Sequence, residues 1–256
     1  MNQQLILTDK TVDIDKLDLK PVSKGNNNYL YTNATYKLSP AKSVPFKFCL
    51  SNLRLSTTAS YLQDYDSYSC IVQLSNEQYE VLNNMNTRLA ELGLPLFKEA
   101  MGKKAVNLDP NNIQVNIKPE NEELGYSPSL SCKFKFNPEN NSFWCDLVDL
   151  SGTKLAFTTE NPGEFLKRNS LVDIMFNCTI YKTGSNYGVS WKPSKIRVKE
   201  VGEDVAVADF PEDDEEPVQQ SSSKVVNDFP EDTNGDEDDE DEELNMILNS
   251  KSRSKK

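Results

Sequence analysis

Several stretches of the chain alternate apolar and polar residues with period two, the mark of a half-buried strand. In "VPFKFCL" Val44, Phe46, Phe48 and Leu50 share one face, with Lys47 and Cys49 on the other. "SCIVQL" aligns Cys70, Val72 and Leu74, and "NIQVNIK" sets Ile113, Val115 and Ile117 against Gln114, Asn116 and Lys118. "LVDIMFNCTIYK" aligns Val172, Ile174, Phe176, Cys178 and Ile180. One segment changes period. Ser75 and Gln78 have the spacing of a capping box, and Tyr79, Leu82, Met85, Leu89 and Leu92 then recur at helical steps. Gly93 and Pro95 predict the end of this helix after about four turns. One amphipathic helix among strands, without α/β alternation, predicts a mainly β domain: a small barrel or sandwich plugged by a helix.

"CKFKFNPENNSFWCDL" predicts a hairpin with a polar loop from Asn137 to Ser142. Pairing Phe136 with Phe143 sets Phe134 opposite Cys145 and Cys132 opposite Leu147, so the apolar residues fall on one face. The other face carries Lys133 and Lys135, with Trp144 across from Lys135. An exposed tryptophan beside a lysine suits an unstacked base and its phosphate, the ring stacking for about 1–3 kcal/mol per base. The alternative is a satellite core position under a loop or tail.

A second concentration of aromatic and basic residues lies in "YKTGSNYGVSWKPSKIRVKEV". Tyr181 and Lys182 precede a tight turn at "TGSN", and Tyr187, Trp191, Lys192, Lys195, Arg197 and Lys199 lie on the returning strand. Ile196 and Val198 alternate inward, leaving Lys195, Arg197 and Lys199 outward as candidate phosphate contacts. Pro193 has no amide to donate and marks an edge or a bulge. Val189 and Trp191 share a face that suits the core as well as a ligand.

Charge divides the chain. The net charge is −12, yet residues 203–256 hold 19 acidic against 5 basic residues (−14), leaving 21 against 23 (+2) in residues 1–202. Few apolar residues and dense charge predict a disordered tail over 203–256. Residues 1–202 are long enough for a substantial core, and the pattern leaves open whether the first 28, with their "GNNNY", are ordered. The five cysteines are scattered and include no C-x-x-C, which fits reduced thiols in an intracellular protein better than a disulfide framework or zinc site. Neither a membrane span nor a secretory signal is expected. With no histidine, no phosphate loop and no dinucleotide fingerprint, the chain reads as a binding protein without cofactor or metal, not an enzyme.

The order of features from Ser170 to Glu216 resembles the C-terminal part of the single-stranded DNA-binding proteins of podophages and their relatives in large eukaryotic DNA viruses. A penultimate strand ends in an aromatic–basic pair, a short turn and the "YGVSWKPSKIRV" strand follow, and "VADFPEDDEE" forms an acidic exit. The resemblance implies an OB-fold-like, partly open barrel with one helix, and a groove around Tyr181, Lys182, Trp191 and Lys192. It also implies a tail that shields the groove and contacts replication partners such as polymerase, helicase or primase. One departure stands out: those phage proteins end in acid with a terminal aromatic residue, whereas this chain ends "LNMILNSKSRSKK".

The tail repeats a phrase, "DFPEDDEE" from Asp209 and "DFPEDTNGDEDDEDEE" from Asp228. Phe210 and Phe229 put a ring inside each acidic block, and Leu244, Ile247 and Leu248 offer a short apolar motif to a partner groove. A chain of carboxylates with occasional rings mimics single-stranded DNA, so the tail is expected to compete for the groove at high effective concentration. The basic end is either an import signal or a solvated terminus. Two rival readings remain: acid that serves only solubility, and an acidic-tailed chaperone of histones or other basic proteins. A role in DNA replication, recombination or repair fits the first reading, and a homodimer is left open.

Overall fold

The computed structural model describes residues 5–25, 29–62, 67–102, 113–137, 142–184 and 186–203. The expectations placed on residues 204–256, including Phe210, Phe229, Leu244, Ile247 and Leu248, lie outside the described residues. The chain opens with short strands β1 (Leu7–Thr8), β2 (Leu17–Leu19) and β3 (Ser23–Lys24), then the longer β4 (Leu30–Ser39), β5 (Lys42–Pro45) and β6 (Phe48–Leu55). β7 (Ser60–Leu62) and β8 (Ser67–Gln73) lead into helix α1 (Asn76–Met101). Beyond it come β9 (Gln114–Val115), β10 (Ile117–Lys118), β11 (Ser129–Phe134), β12 (Phe136–Asn137), β13 (Ser142–Phe143) and β14 (Asp146–Val148). A one-turn helix α2 (Pro162–Phe165) precedes the longest hairpin, β15 (Leu171–Thr183) and β16 (Asn186–Glu200).

The main sheet runs β10-β11-β8-β6-β15-β16-β14. β15 pairs through its first half with β6 and through its second half with β4, so the sheet curls instead of lying flat. The result is a mainly β, OB-fold-like, partly open barrel with one long helix. Phe48, Leu50, Leu53, Val72, Leu130, Ile174, Phe176 and Ile180 are wholly buried inside it. At the centre Trp191 packs against Phe48 (5.6 Å between ring centroids), Phe46 (6.2 Å) and Phe176 (6.5 Å). Among the described residues no helix is long and apolar enough to cross a membrane. All five cysteines are free thiols.

The helix begins as its spacing predicts, with the Ser75 hydroxyl accepting from the Gln78 amide and the Gln78 side chain accepting from the Ser75 amide. It does not end at Gly93. It continues through Pro95 to Met101, with Gly102 at φ 55° as its cap. Gly93 serves close packing, since a Cβ there would lie 2.6 Å from the Tyr187 hydroxyl and 3.2 Å from Ile180. Pro95 removes one backbone donor from the ladder. Two residues on, the fully buried Phe97 meets the Tyr187 ring edge-on at 5.6 Å. That burial, about 1.5–3 kcal/mol for a side chain of this kind, carries the helix past the proline.

Phe136 pairs with Phe143 as predicted, and the Trp144 amide donates to the Lys135 carbonyl at 3.1 Å. Farther out the predicted register fails. Phe134 lies opposite Tyr68 and Cys132 opposite Cys70, both on β8, while Leu147 pairs with Ile196 in a parallel β14–β16 ladder. The hairpin is therefore short, and its strands part to join different neighbours. In the β15–β16 hairpin, Phe176 pairs with Pro193 and Met175 with Lys195. Ser194 is the extra residue of a bulge, its hydroxyl donating to the Met175 carbonyl at 3.1 Å.

Candidate nucleic-acid interface

Residues of β4, β5, β9, β10, β11, β15 and β16 line a groove of about 1300 Å³. Lys20, Lys47, Lys118, Lys133, Lys135 and Lys192 line it, and none of the described lining residues is acidic. Alternation explains their convergence. Lys47 and Lys118 each sit one residue from a buried apolar neighbour, Phe46 or Phe48 and Ile117, so their stems leave the core on the polar side. Lys133 and Lys135 bracket the buried Phe134 in the same way.

Asn116 ties the two walls together. Its amide nitrogen donates to the Ser131 carbonyl at 2.8 Å and to the Trp191 carbonyl at 3.2 Å, while its oxygen accepts from the Trp191 amide at 3.2 Å. β11 and β16 are thus held at a set distance by one side chain between β9 and β10. Two rings with exposed surface also line the groove. Trp144 is 71% exposed, and Tyr181 is half-buried with its hydroxyl 3.4 Å from Gln114 Oε1.

The electrostatics favour an anion. Protein atoms around Lys192 lower the pKa of its ammonium, and the neighbouring Lys135 charge lowers it further, although the residue as a whole is exposed. A bound phosphate would offset both effects by direct attraction to the ammonium. The Tyr181 phenol is pushed up by burial and stays neutral. Lysines supply charge without bidentate geometry, so the groove suits a phosphate chain in any sequence better than one shaped anion.

Of the residues nominated from sequence, Lys133, Lys135, Trp144, Tyr181 and Lys192 come together in this groove. Trp191 also belongs to the lining, and the other nominated residues of the fold lie outside it. Trp191 is a core residue, 1% exposed, with its indole Nε1–H donating to Asn86 Oδ1 at 2.8 Å. At that burial no ring face is open to a base. Tyr187 is buried, and its hydroxyl donates to the Ala90 carbonyl at 2.6 Å. Lys182 is buried with its ammonium on the Gly184 carbonyl.

The Lys195, Arg197 and Lys199 row lies farther along β16, outside the groove lining. Arg197 (3.7 Å) and Lys199 (3.2 Å) neutralise the buried Asp173, whose carboxylate also accepts from the Asn52 amide at 2.9 Å. Lys195 lies opposite Asp146 in the β14–β16 ladder. Two of these cations therefore serve an internal carboxylate. Lys20, Lys47 and Lys118 were missed. Alternation already put Lys47 and Lys118 on polar faces, but it does not tell which polar faces meet.

No protein-family model matches the chain, and no curated protein matches it. The chain is similar to solved phage single-stranded DNA-binding proteins. That of bacteriophage Enc34 is 13% identical over 75% of this chain and 96% of that one, with a TM-score of 0.43. The same protein in complex with ssDNA is 14% identical over 72% of this chain and 97% of that one, at 0.41. The single-stranded DNA-binding protein gp2.5 of bacteriophage T7 is 13% identical over 63% of this chain and 96% of that one, at 0.44.

Proposed function

We propose that the folded body binds single-stranded DNA along the lysine groove, holding phosphates on the ammonium groups and stacking bases on Trp144. One observation carries this reading: among the described residues, six lysines and no carboxylate line a single groove with an exposed indole on it. Positive charge that tracks a backbone, together with a ring that accepts any base, is what sequence-tolerant single-strand binding requires. Net charge does not supply the affinity, since residues 1–202 carry only +2. Local clustering does.

The acidic tail completes the proposal. Its carboxylates and the Phe210 and Phe229 rings compete with DNA for the same groove, and DNA frees the tail to recruit polymerase, helicase or primase partners in replication, recombination or repair. The test is a titration of the full chain with oligo(dT) and with duplex, followed by tryptophan fluorescence. Quenching by the single strand and not the duplex is expected. Removing residues 203–256 is expected to raise affinity and steepen its salt dependence, by about 0.7 in log–log slope per phosphate neutralised. A protein that ignores oligo(dT) at low salt with and without the tail, yet binds basic proteins through it, would be an acidic chaperone instead.

A further inference from the structure

We propose that Tyr29, Tyr31 and Tyr181 form a second base-stacking station, distinct from Trp144, for the same single-stranded nucleic acid. The inference rests on the reading above and extends it to Tyr29 and Tyr31, which the sequence did not nominate, beside Tyr181, which it did. Tyr31 and Tyr181 are direct cross-strand partners on β4 and β15. Tyr29 lies nearly parallel to both, with centroids 5.5 Å from Tyr31 at 21° and 6.4 Å from Tyr181 at 29°. All three rings are half-buried.

The column joins the groove through Tyr181, which is one of its lining residues. One cation-bearing residue, Lys20, lies on the segment paired beside β4. The Lys20 amide donates to the carbonyl of Asn33, two residues from Tyr31, and Lys20 itself lines the groove. The β4–β15 pairing sets Tyr31 beside Tyr181, and Tyr29, one residue before β4, lies near-parallel to both, so a base that extends the column meets rings already arranged before any ligand arrives. Burial raises the pKa of Tyr29 and Tyr181, which keeps those phenols uncharged beside phosphate. Trp144 stands on the wall made by β11 and the Phe136–Phe143 pair, whereas the tyrosines stand on the β4–β15 wall. A strand crossing the groove meets a ring on each.

The test uses the full-length protein, a long oligo(dT) of about 20 nucleotides, and the variants Tyr29→Leu, Tyr31→Leu and Tyr29→Phe. Leucine keeps apolar bulk and removes the ring, so about tenfold weaker binding is expected for both leucine variants, with Tyr29→Phe matching wild type. In wild type, photocrosslinking with 5-iododeoxyuridine-substituted oligomer is expected to map to Tyr29 or Tyr31 as well as Trp144, a readout that does not depend on variants folding. If wild type binds and crosslinks only at Trp144, or if the leucine variants fold and bind as wild type, the second station is overturned while single-strand binding stands. If wild type binds no oligo(dT), the reading beneath it has failed as well.

Discussion

The indole Nε1–H of Trp191 donates to Asn86 Oδ1 across the interface between β16 and the helix, 2.8 Å apart and wholly inside the protein. Replacing the indole with Phe leaves that oxygen buried and unpaired and removes ring volume from the centre of the core. Trp191→Phe is expected to lower stability by about 2 kcal/mol, measured by urea denaturation, while oligo(dT) affinity of the folded protein stays unchanged. A large loss of affinity without loss of stability would return Trp191 to the binding surface.

Trp144 should behave in the opposite way. At 71% exposure it contributes little to the core, so Trp144→Ala is expected to leave the denaturation midpoint in place. Affinity for oligo(dT) should fall about tenfold, within the range for one stacked base. Calorimetric titration reads this loss without relying on the fluorophore that was removed.

Two sets of cations can be separated by salt. Lys47→Gln and Lys118→Gln each remove a groove charge and are expected to reduce the log–log salt slope by about 0.7. Lys195→Gln and Arg197→Gln remove charges outside the groove lining and should leave the slope alone. Equal effects from both sets would mean that the bound strand follows β16 well beyond the groove.

The crowded ammonium of Lys192 makes binding sensitive to alkaline pH. Its free pKa is lowered by burial and then by Lys135, and a bound phosphate raises it. The contact is fully present below the lowered free value and is lost as pH rises toward the bound value. Oligo(dT) affinity is therefore expected to start falling below the range of an ordinary lysine. Lys192→Arg, which stays charged, should flatten the fall.

Gly93 offers a test of the helix that is independent of ligand. A Cβ at this position meets the Tyr187 hydroxyl at 2.6 Å, and that hydroxyl is itself fixed on the Ala90 carbonyl. Gly93→Ala is expected to destabilise by about 1–3 kcal/mol despite alanine's better helix propensity. A stabilised variant in thermal melts would show that the contact relaxes freely.

How much of this was legible in the sequence depended on range. The Ser75–Gln78 cap and the Phe136–Phe143 pair were readable because each partner lies within a few residues of the other. The partners of Cys132 and Leu147 were not, because both strands leave the hairpin for β8 and β16, contacts that no local spacing encodes. The helix end was misread because Gly93 and Pro95 are ordinary stop signals, and only the packing of Tyr187 and Phe97 overrides them. The two tryptophans show the same division. Period two separates the faces of a strand but does not say which face the barrel encloses; it put Trp144 on a polar face and left Trp191 open between core and ligand, and the curl of the sheet decides the second.

Among the described residues the groove's only formal charges are ammonium groups, so its charge carries no landmark. Each phosphate along a polymer would find much the same partner as its neighbour, so a bound strand advancing by one nucleotide trades like for like. Such a channel grips without fixing register, and a molecule built around it would be free to creep along its ligand without letting go.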